Sequence, residues 1–432
     1  MLHLDEARER AIAAARQWTN CPADDHERAL LIEDLFGRFR AAAWGTPARR
    51  TELAEALHQA TTDLRAAATY WSGDLWSGRE AQEPERAFYQ RAWEDGRELV
   101  PGRLRLLDRH RSRQAWFSPV AQGPWLVGKR RPPVVAFYSF KGGVGRTTAL
   151  AAFAIQRARA GERVLVIDAD LDAPGLGSLL PATRDGSVQT WGVVDYLLER
   201  PLCQHVDVRD YYHAFRDETV VGPGEILVVP AGRLNGHFLE KLARVDLEPA
   251  PHQAPGDHPL HLMVHELSTA LRPAWILLDC RSGLSEMTGV ILSGLAHLQV
   301  VLGTASAQSW EGLTLVLRHL GEEQVRDGLP QGDCILVHSM VPPTAAAPVR
   351  RAFEQRAREV FETHFYAETS AADAFWTVAD AEGSDAPHVP IPLSYDETLA
   401  AFGYIGEVAS RLTGDEFLRL GERIRGRFRR DA

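Results

Sequence analysis

From Val134 onward the chain alternates short apolar runs with longer amphipathic segments. The runs are VVAFYS, RVLVIDA, EILVVPA, WILLDC, LQVVLGT and CILVHSM, with HVPIP a seventh candidate. Continuous apolar runs of this length, rich in branched residues and separated by helix-length stretches, predict buried strands joined by helical crossovers. That pattern predicts a doubly wound α/β domain with a mainly parallel sheet, in which ligands sit outside the carboxyl ends of the strands. Residues 1–117 carry a different rhythm. HERALLIEDLFGRFRAAAW places Leu31, Leu35 and Phe39 four residues apart, and TELAEALHQATTDLRAAATYW does the same with Leu53, Leu57 and Leu64 behind a capping Thr51. Both predict helix faces, so the expectation is an all-α N-terminal domain. Seven tryptophans between Trp18 and Trp125 are expected to fill its core.

Between the two lies SPVAQGPWLVGKRRPP, residues 118–133, whose proline, glycine and basic cluster predict a linker. The α/β domain is expected to span 134–411. Residues 412–432 then form a basic amphipathic helix, with Phe417, Leu420, Ile424 and Phe428 on one face and Arg419, Arg423, Arg427 and Arg430 around it. Such a helix fits an anionic membrane surface or a docked position on the domain, and docking is the preferred reading.

Composition narrows the setting. A chain of 432 residues with 45% hydrophobic and 25% charged residues is expected to form soluble globular domains. The net charge of −10 argues against bulk nucleic-acid binding. Cys21, Cys203, Cys280 and Cys334 are too widely spaced for a zinc or iron–sulfur pattern, and they read as reduced thiols. With no signal-peptide pattern at the start and no long apolar run, a cytoplasmic location is expected.

The candidate chemistry begins just after the first strand, in YSFKGGVGRTTAL. A glycine-rich turn leading into a helix aims backbone N–H groups at an anion, and the helix dipole adds to the attraction. Gly142, Gly143, Val144 and Gly145 form the turn, with Lys141 before it and Arg146, Thr147 and Thr148 after it. Thr147 is placed to ligate Mg²⁺ and Thr148 to reach a phosphate. The second strand ends in VIDADLDAPGL, where Asp168 and Asp170, two apart, share an orientation. Asp168 is expected on the metal side, and Asp170 is expected to orient an attacking water. WILLDCRSG delivers Asp279 at the end of another strand as a magnesium-side carboxylate, and Gly283 offers an N–H to a γ-phosphate.

In this order, KGGVGRTT, VLVIDADLDAPGL and ILLDCRSGLSE resemble the ParA/MinD-type ATPases with a deviant Walker A motif, and within them a bacterial branch whose loop reads KGGVGR. EILVVPAGR and HVPIPLSYDETLA fit the same pattern, so the resemblance covers residues 134–411. It implies a P-loop NTPase fold, ATP and Mg²⁺ as cofactors, and a nucleotide-sandwich homodimer formed on ATP binding. By resemblance Lys141 is the signature lysine that reaches the other subunit's phosphates, Thr147 the magnesium ligand, Asp170 the catalytic water-orienting residue and Asp279 the Walker B aspartate. The nucleotide-binding set gains Ser339 and Pro392 in the same way.

Two positions depart from the family. Arg146 stands where the P-loop lysine is usual, and Ser339 where a base-recognising asparagine is usual. Only three lysines occur among 48 basic residues, yet one of them is Lys141. An arginine there keeps the charge in a larger planar fork and is expected to slow hydrolysis. The expected function is a slowly hydrolysing ATP-dependent switch that regulates a protein partner through the N-terminal domain. Members of the branch are often encoded beside effectors of bacterial defence or signalling. A non-hydrolysing ATP-bound scaffold and a DNA- or cell-positioning ATPase are the competing readings; the net charge weighs against DNA.

Overall fold

The computed structural model describes residues 2–22, 26–64, 68–77, 82–110, 112–117, 125, 127–128, 131–182, 191–203, 205–247, 258–323, 333–344, 346–367 and 376–428. They divide into two compact units, Met1–Ser112 and Arg113–Ala432. Most of the expected linker, Lys129 included, lies outside the described residues.

The first unit is built on a five-stranded sheet, which corrects the all-α expectation. Its strands are β1 (Arg28–Glu33), β2 (Phe39–Trp44), β3 (Trp71–Ser77), β4 (Arg97–Val100) and β5 (Leu104–Asp108), in the spatial order β3-β2-β1-β5-β4. The segment expected to be one helix is the β1–β2 hairpin. Its turn explains why. The Asp34 carboxylate accepts the N–H groups of Phe36 and Arg38, and Gly37 takes a left-handed φ of 74°, so the chain reverses where a helix would continue. Alternation then divides the side chains. Leu31, Ala41 and Ala43 pack beneath helices α1 (Leu4–Asn20) and α2 (Pro47–Thr61), while Leu30, Ile32 and Ala42 meet Tyr89 and Trp93 of α3 (Glu85–Asp95). Leu35 sits exposed at the turn, and the eight-residue spacing of Leu31 and Phe39 reflects two neighbouring strands. Helix α2 keeps Leu53 and Leu57 buried, as expected. It is capped by Thr46 rather than Thr51, and Leu64 lies beyond its end, exposed.

The second unit holds an eight-stranded sheet. In chain order its strands are β6 (Val134–Ser139), β7 (Arg163–Ala169), β8 (His213–Phe215), β9 (Glu225–Val229), β10 (Trp275–Cys280), β11 (Leu298–Gly303), β12 (Asp333–Val341) and β13 (Ile391–Ser394). The spatial order is β8-β9-β7-β10-β6-β11-β12-β13, with every pair parallel except β8–β9. All the apolar runs of the sequence become strands; the short antiparallel edge β8, only three residues long, was not legible. The central strands are buried on both faces, as a parallel sheet requires. Covering them are α4 (Arg146–Arg159), α5 (Val193–Glu199), α6 (Pro259–Leu271), α7 (Ala307–Glu323), α8 (Ala346–His364), α9 (Ile405–Leu412) and α10 (Asp415–Arg427).

Helix α10 is the expected C-terminal helix, and its apolar face belongs to the core. Leu420 and Ile424 are buried in the cluster that contains Phe153 of α4, and the partly buried Phe428 meets Trp275 edge-on. Burying two such side chains contributes about 1.5–3 kcal/mol each. Arg427 is buried as well, paired with Asp333 at 3.1 Å. Among the described residues no helix is long and apolar enough to cross a membrane.

Candidate nucleotide-binding site

Strand β6 runs between β10 and β11, and the loop Phe140–Gly145 leaves its carboxyl end to start α4. Gly143 and Gly145 take φ values of 72° and 83°, the left-handed region that glycine enters without a Cβ penalty. Val144 between them is buried and anchors the turn from below. The first bond of α4 runs from Ala149 N–H to Gly145 O, so the N–H groups of Arg146, Thr147 and Thr148 lie in the first turn, where no intrahelical acceptor exists. Lys141, Gly142 and Gly143 are exposed, and Thr147 and Thr148 half-buried. An open turn of donors at the start of a 14-residue helix is an anion seat.

Beneath this turn lies a buried ionic cluster. The register pairs Asp279 of β10 with Asp168 of β7 on adjacent strands. Thr147 donates its hydroxyl to Asp279 Oδ2 at 2.6 Å, and Arg146 donates Nε to Asp279 Oδ1 at 2.6 Å and Nη2 to Asp170 Oδ2 at 2.7 Å. The structure therefore brings Arg146, Thr147, Asp170 and Asp279 together across more than a hundred residues of chain. It gives Asp168 another occupation. Its Oδ2 accepts the N–H groups of Gly175 and Leu176, both at 3.0 Å, and its Oδ1 accepts that of Asp170 at 3.3 Å, which fixes the segment after β7.

Burial governs the protonation of these groups. Asp168 is pushed up to about 8, first by desolvation and then by the neighbouring Asp279 charge. Burial also raises Asp279, against the opposing pull of Arg146 and Thr147. Desolvation by itself would lower Arg146; the Asp279 and Asp170 carboxylates outweigh it and hold the guanidinium firmly charged. Cys280, beside Asp279, is fully buried and its thiol is pushed up by desolvation, which keeps it neutral and unreactive.

The remaining candidates lie apart from this cluster. Gly283 gives its N–H to Ser139 O at 3.3 Å, so that donor already has an acceptor. Ser339 is buried in β12, and its hydroxyl donates to Gly303 O at 3.1 Å, tying β12 to β11. Pro392 lies in β13, in register with His338. Two features were not anticipated. Arg281 pairs with Asp172, each just past a strand that ends in a candidate aspartate. The ring of Phe140, at the start of the loop, lies against Gly312 of α7, so closely that a Cβ there would sit 2.0 Å from it. The first was findable from paired charges after strands; the second has no sequence signal.

Residues 135–329 match the model of the CobQ/CobB/MinD/ParA nucleotide binding domain. The second unit carries a nucleotide binding domain of the CobQ/CobB/MinD/ParA kind. No curated protein matches the chain. Among solved structures it is similar to the ParA of pNOB8, at 16% identity over 70% of this chain and 100% of that one, with a TM-score of 0.47. It is also similar to the Pyrococcus horikoshii septum site-determining protein MinD complexed with Mg-ADP, at 16% identity over 68% and 96%, with a TM-score of 0.43. A Chlorobium tepidum ParA-family ATPase matches at 14% identity over 68% and 98%, with a TM-score of 0.44.

The loop fits nucleotide phosphates, because its open first-turn amides, Lys141 and the helix start all favour an anion. The carboxylates do not fit a divalent metal as they stand. Each oxygen of Asp279 has a donor at 2.6 Å, and Asp170 Oδ1 accepts Ala173 N–H at 3.2 Å while its Oδ2 holds Arg146. Among the described residues no cluster of three or more His, Cys, Asp or Glu side chains is arranged to hold a metal ion. The expected metal set of Thr147, Asp168 and Asp279 thus has both its carboxylates already occupied by donors.

Proposed function

We propose that this protein is an ATP-binding switch whose second unit dimerises on the nucleotide and whose first unit carries its state to a protein partner. The observation that carries the reading is the loop itself: an open amide turn at a helix start, with Thr147 locked to Asp279 beneath it. Phosphates would lie on the N–H groups of Gly143 to Thr148. Lys141, exposed at the loop's entrance, is the side chain free to meet phosphates from outside, as the family resemblance implies for a sandwich dimer. A regulatory role in bacterial defence or signalling belongs to the same proposal and rests on that resemblance.

Hydrolysis is slow in this reading. Asp170, the proposed water-orienting residue, has one oxygen on the Arg146 guanidinium and the other on Ala173 N–H, and a carboxylate so engaged is a poor acceptor for a water proton. The same bonds favour the second reading, a scaffold that holds ATP without turning it over.

Light scattering with ATP, with ADP and without nucleotide tests the switch, alongside phosphate release. Doubling of mass with ATP alone, abolished in K141A, is the expected outcome. An unchanged mass with bound ATP would remove dimerisation. A mass change without any phosphate release would select the scaffold.

A further inference from the structure

We propose that the Arg146 guanidinium is the resident cation of this site, holding the Asp170 and Asp279 carboxylates where a divalent metal would otherwise bridge them to phosphate, so that nucleotide binds without Mg²⁺. The proposal rests on the nucleotide reading above and departs from the magnesium that the family resemblance implies.

Mg²⁺ demands near-octahedral oxygen ligands and commonly combines one or two carboxylates with phosphate oxygens and water. Here the four carboxylate oxygens receive Arg146 Nη2, Arg146 Nε, the Thr147 hydroxyl and the Ala173 N–H. The Thr147 proton is directed at Asp279, and Arg146 is only 9% exposed. An entering metal would have to expel Arg146 from both carboxylates and leave a buried charge unpaired, which is strongly unfavourable.

The geometry also selects arginine over lysine. Nε and Nη2 lie on one rigid plane and span two carboxylates, 2.6 and 2.7 Å away. A guanidinium has more N–H donors than these two bonds use, so the remaining nitrogen, Nη1, is left for a phosphate oxygen. It can thus join carboxylate to phosphate as a metal does, by hydrogen bonds instead of coordination. A lysine ammonium is a single point and would free one carboxylate for a metal.

The test is mant-ATP binding to the full chain in excess Mg²⁺ and in excess EDTA, for wild type and R146K. Wild-type affinity is expected to change by less than about threefold on metal removal, and R146K affinity to fall by about tenfold or more. Equal metal dependence in the two proteins would overturn the proposal. If mant-ATP binds neither protein in either condition, the nucleotide reading fails, and the cation assignment is decided separately by Mn²⁺ titration followed by electron paramagnetic resonance without nucleotide. There the wild type should leave Mn²⁺ free while R146M, checked for folding by circular dichroism, gains one site. A wild-type Mn²⁺ site lost in D279N would sink the assignment, as would an R146M protein that folds and binds none.

Discussion

Asp168 and Asp170 stand two residues apart at the end of one strand, and the fold uses them in opposite ways. The alternation of a strand was enough to place both at the sheet's carboxyl edge. It does not reveal that the turn DAPGL sends the N–H groups of Gly175 and Leu176 back onto Asp168, leaving Asp170 for Arg146. The same limit applies to Arg146. Its identity and loop position were legible, but its partners depend on a strand 133 residues away. Asp168 makes the difference measurable. Its carboxyl holds a proton up to about pH 8 in the fold, whereas an unfolded aspartate loses its proton near pH 4. Between those values the native state binds a proton the unfolded chain lacks. Its contribution is therefore complete below about pH 4 and is lost as pH rises through about 8. An asparagine imitates the protonated form, since its carbonyl oxygen can accept the same two amides. D168N should lose less thermal stability than wild type between about pH 5 and 8, read as the drop in Tm over that interval. Parallel falls in the two proteins would show that Asp168 is ionised throughout.

Elements were legible wherever one periodicity ruled. The parallel strands announced themselves because burial on both faces makes them unbroken apolar runs, and α2 and α10 because their apolar residues recur at helical spacing. The β1–β2 hairpin was not, because Leu31 and Phe39 on neighbouring strands imitate one helix face. Only the turn chemistry of Asp34 and Gly37 distinguishes the two cases. Packing between elements leaves still less trace. Gly312 lies in the middle of α7, where glycine costs helix stability, yet any side chain there would strike Phe140, the residue immediately before Lys141. This contact sets where the loop begins. G312A should weaken mant-ATP binding although it touches no phosphate-binding group, with an overpacking cost of about 1–3 kcal/mol in thermal unfolding. Normal affinity in a folded G312A protein would mean that the loop's position does not depend on α7.

On the scale of the whole molecule, the partition of chemistry is sharper than that of sequence length. Each unit has its own hydrophobic core, the first around β1 and β2, the second on both faces of the eight-stranded sheet. Among the described residues, the side-chain hydrogen bonds of Arg146, Thr147, Asp168, Asp170 and Asp279 run between residues 146 and 279, inside the second unit. The start of α4, which supplies the loop amides, is supported by the same unit, because α4 packs against β6, α9 and α10. If nucleotide binding is a property of that unit, a fragment of residues 113–432 should fold and bind mant-ATP within about twofold of the full chain, since distant sites that share no partners are nearly independent. The fragment should also gain mass with ATP if the full chain does, because Lys141 travels with it. What it should lose is the answer to a partner. A folded fragment that binds nucleotide much more weakly would instead place part of the site in residues 1–112, and the first unit would then be a component of the nucleotide site and not its reader.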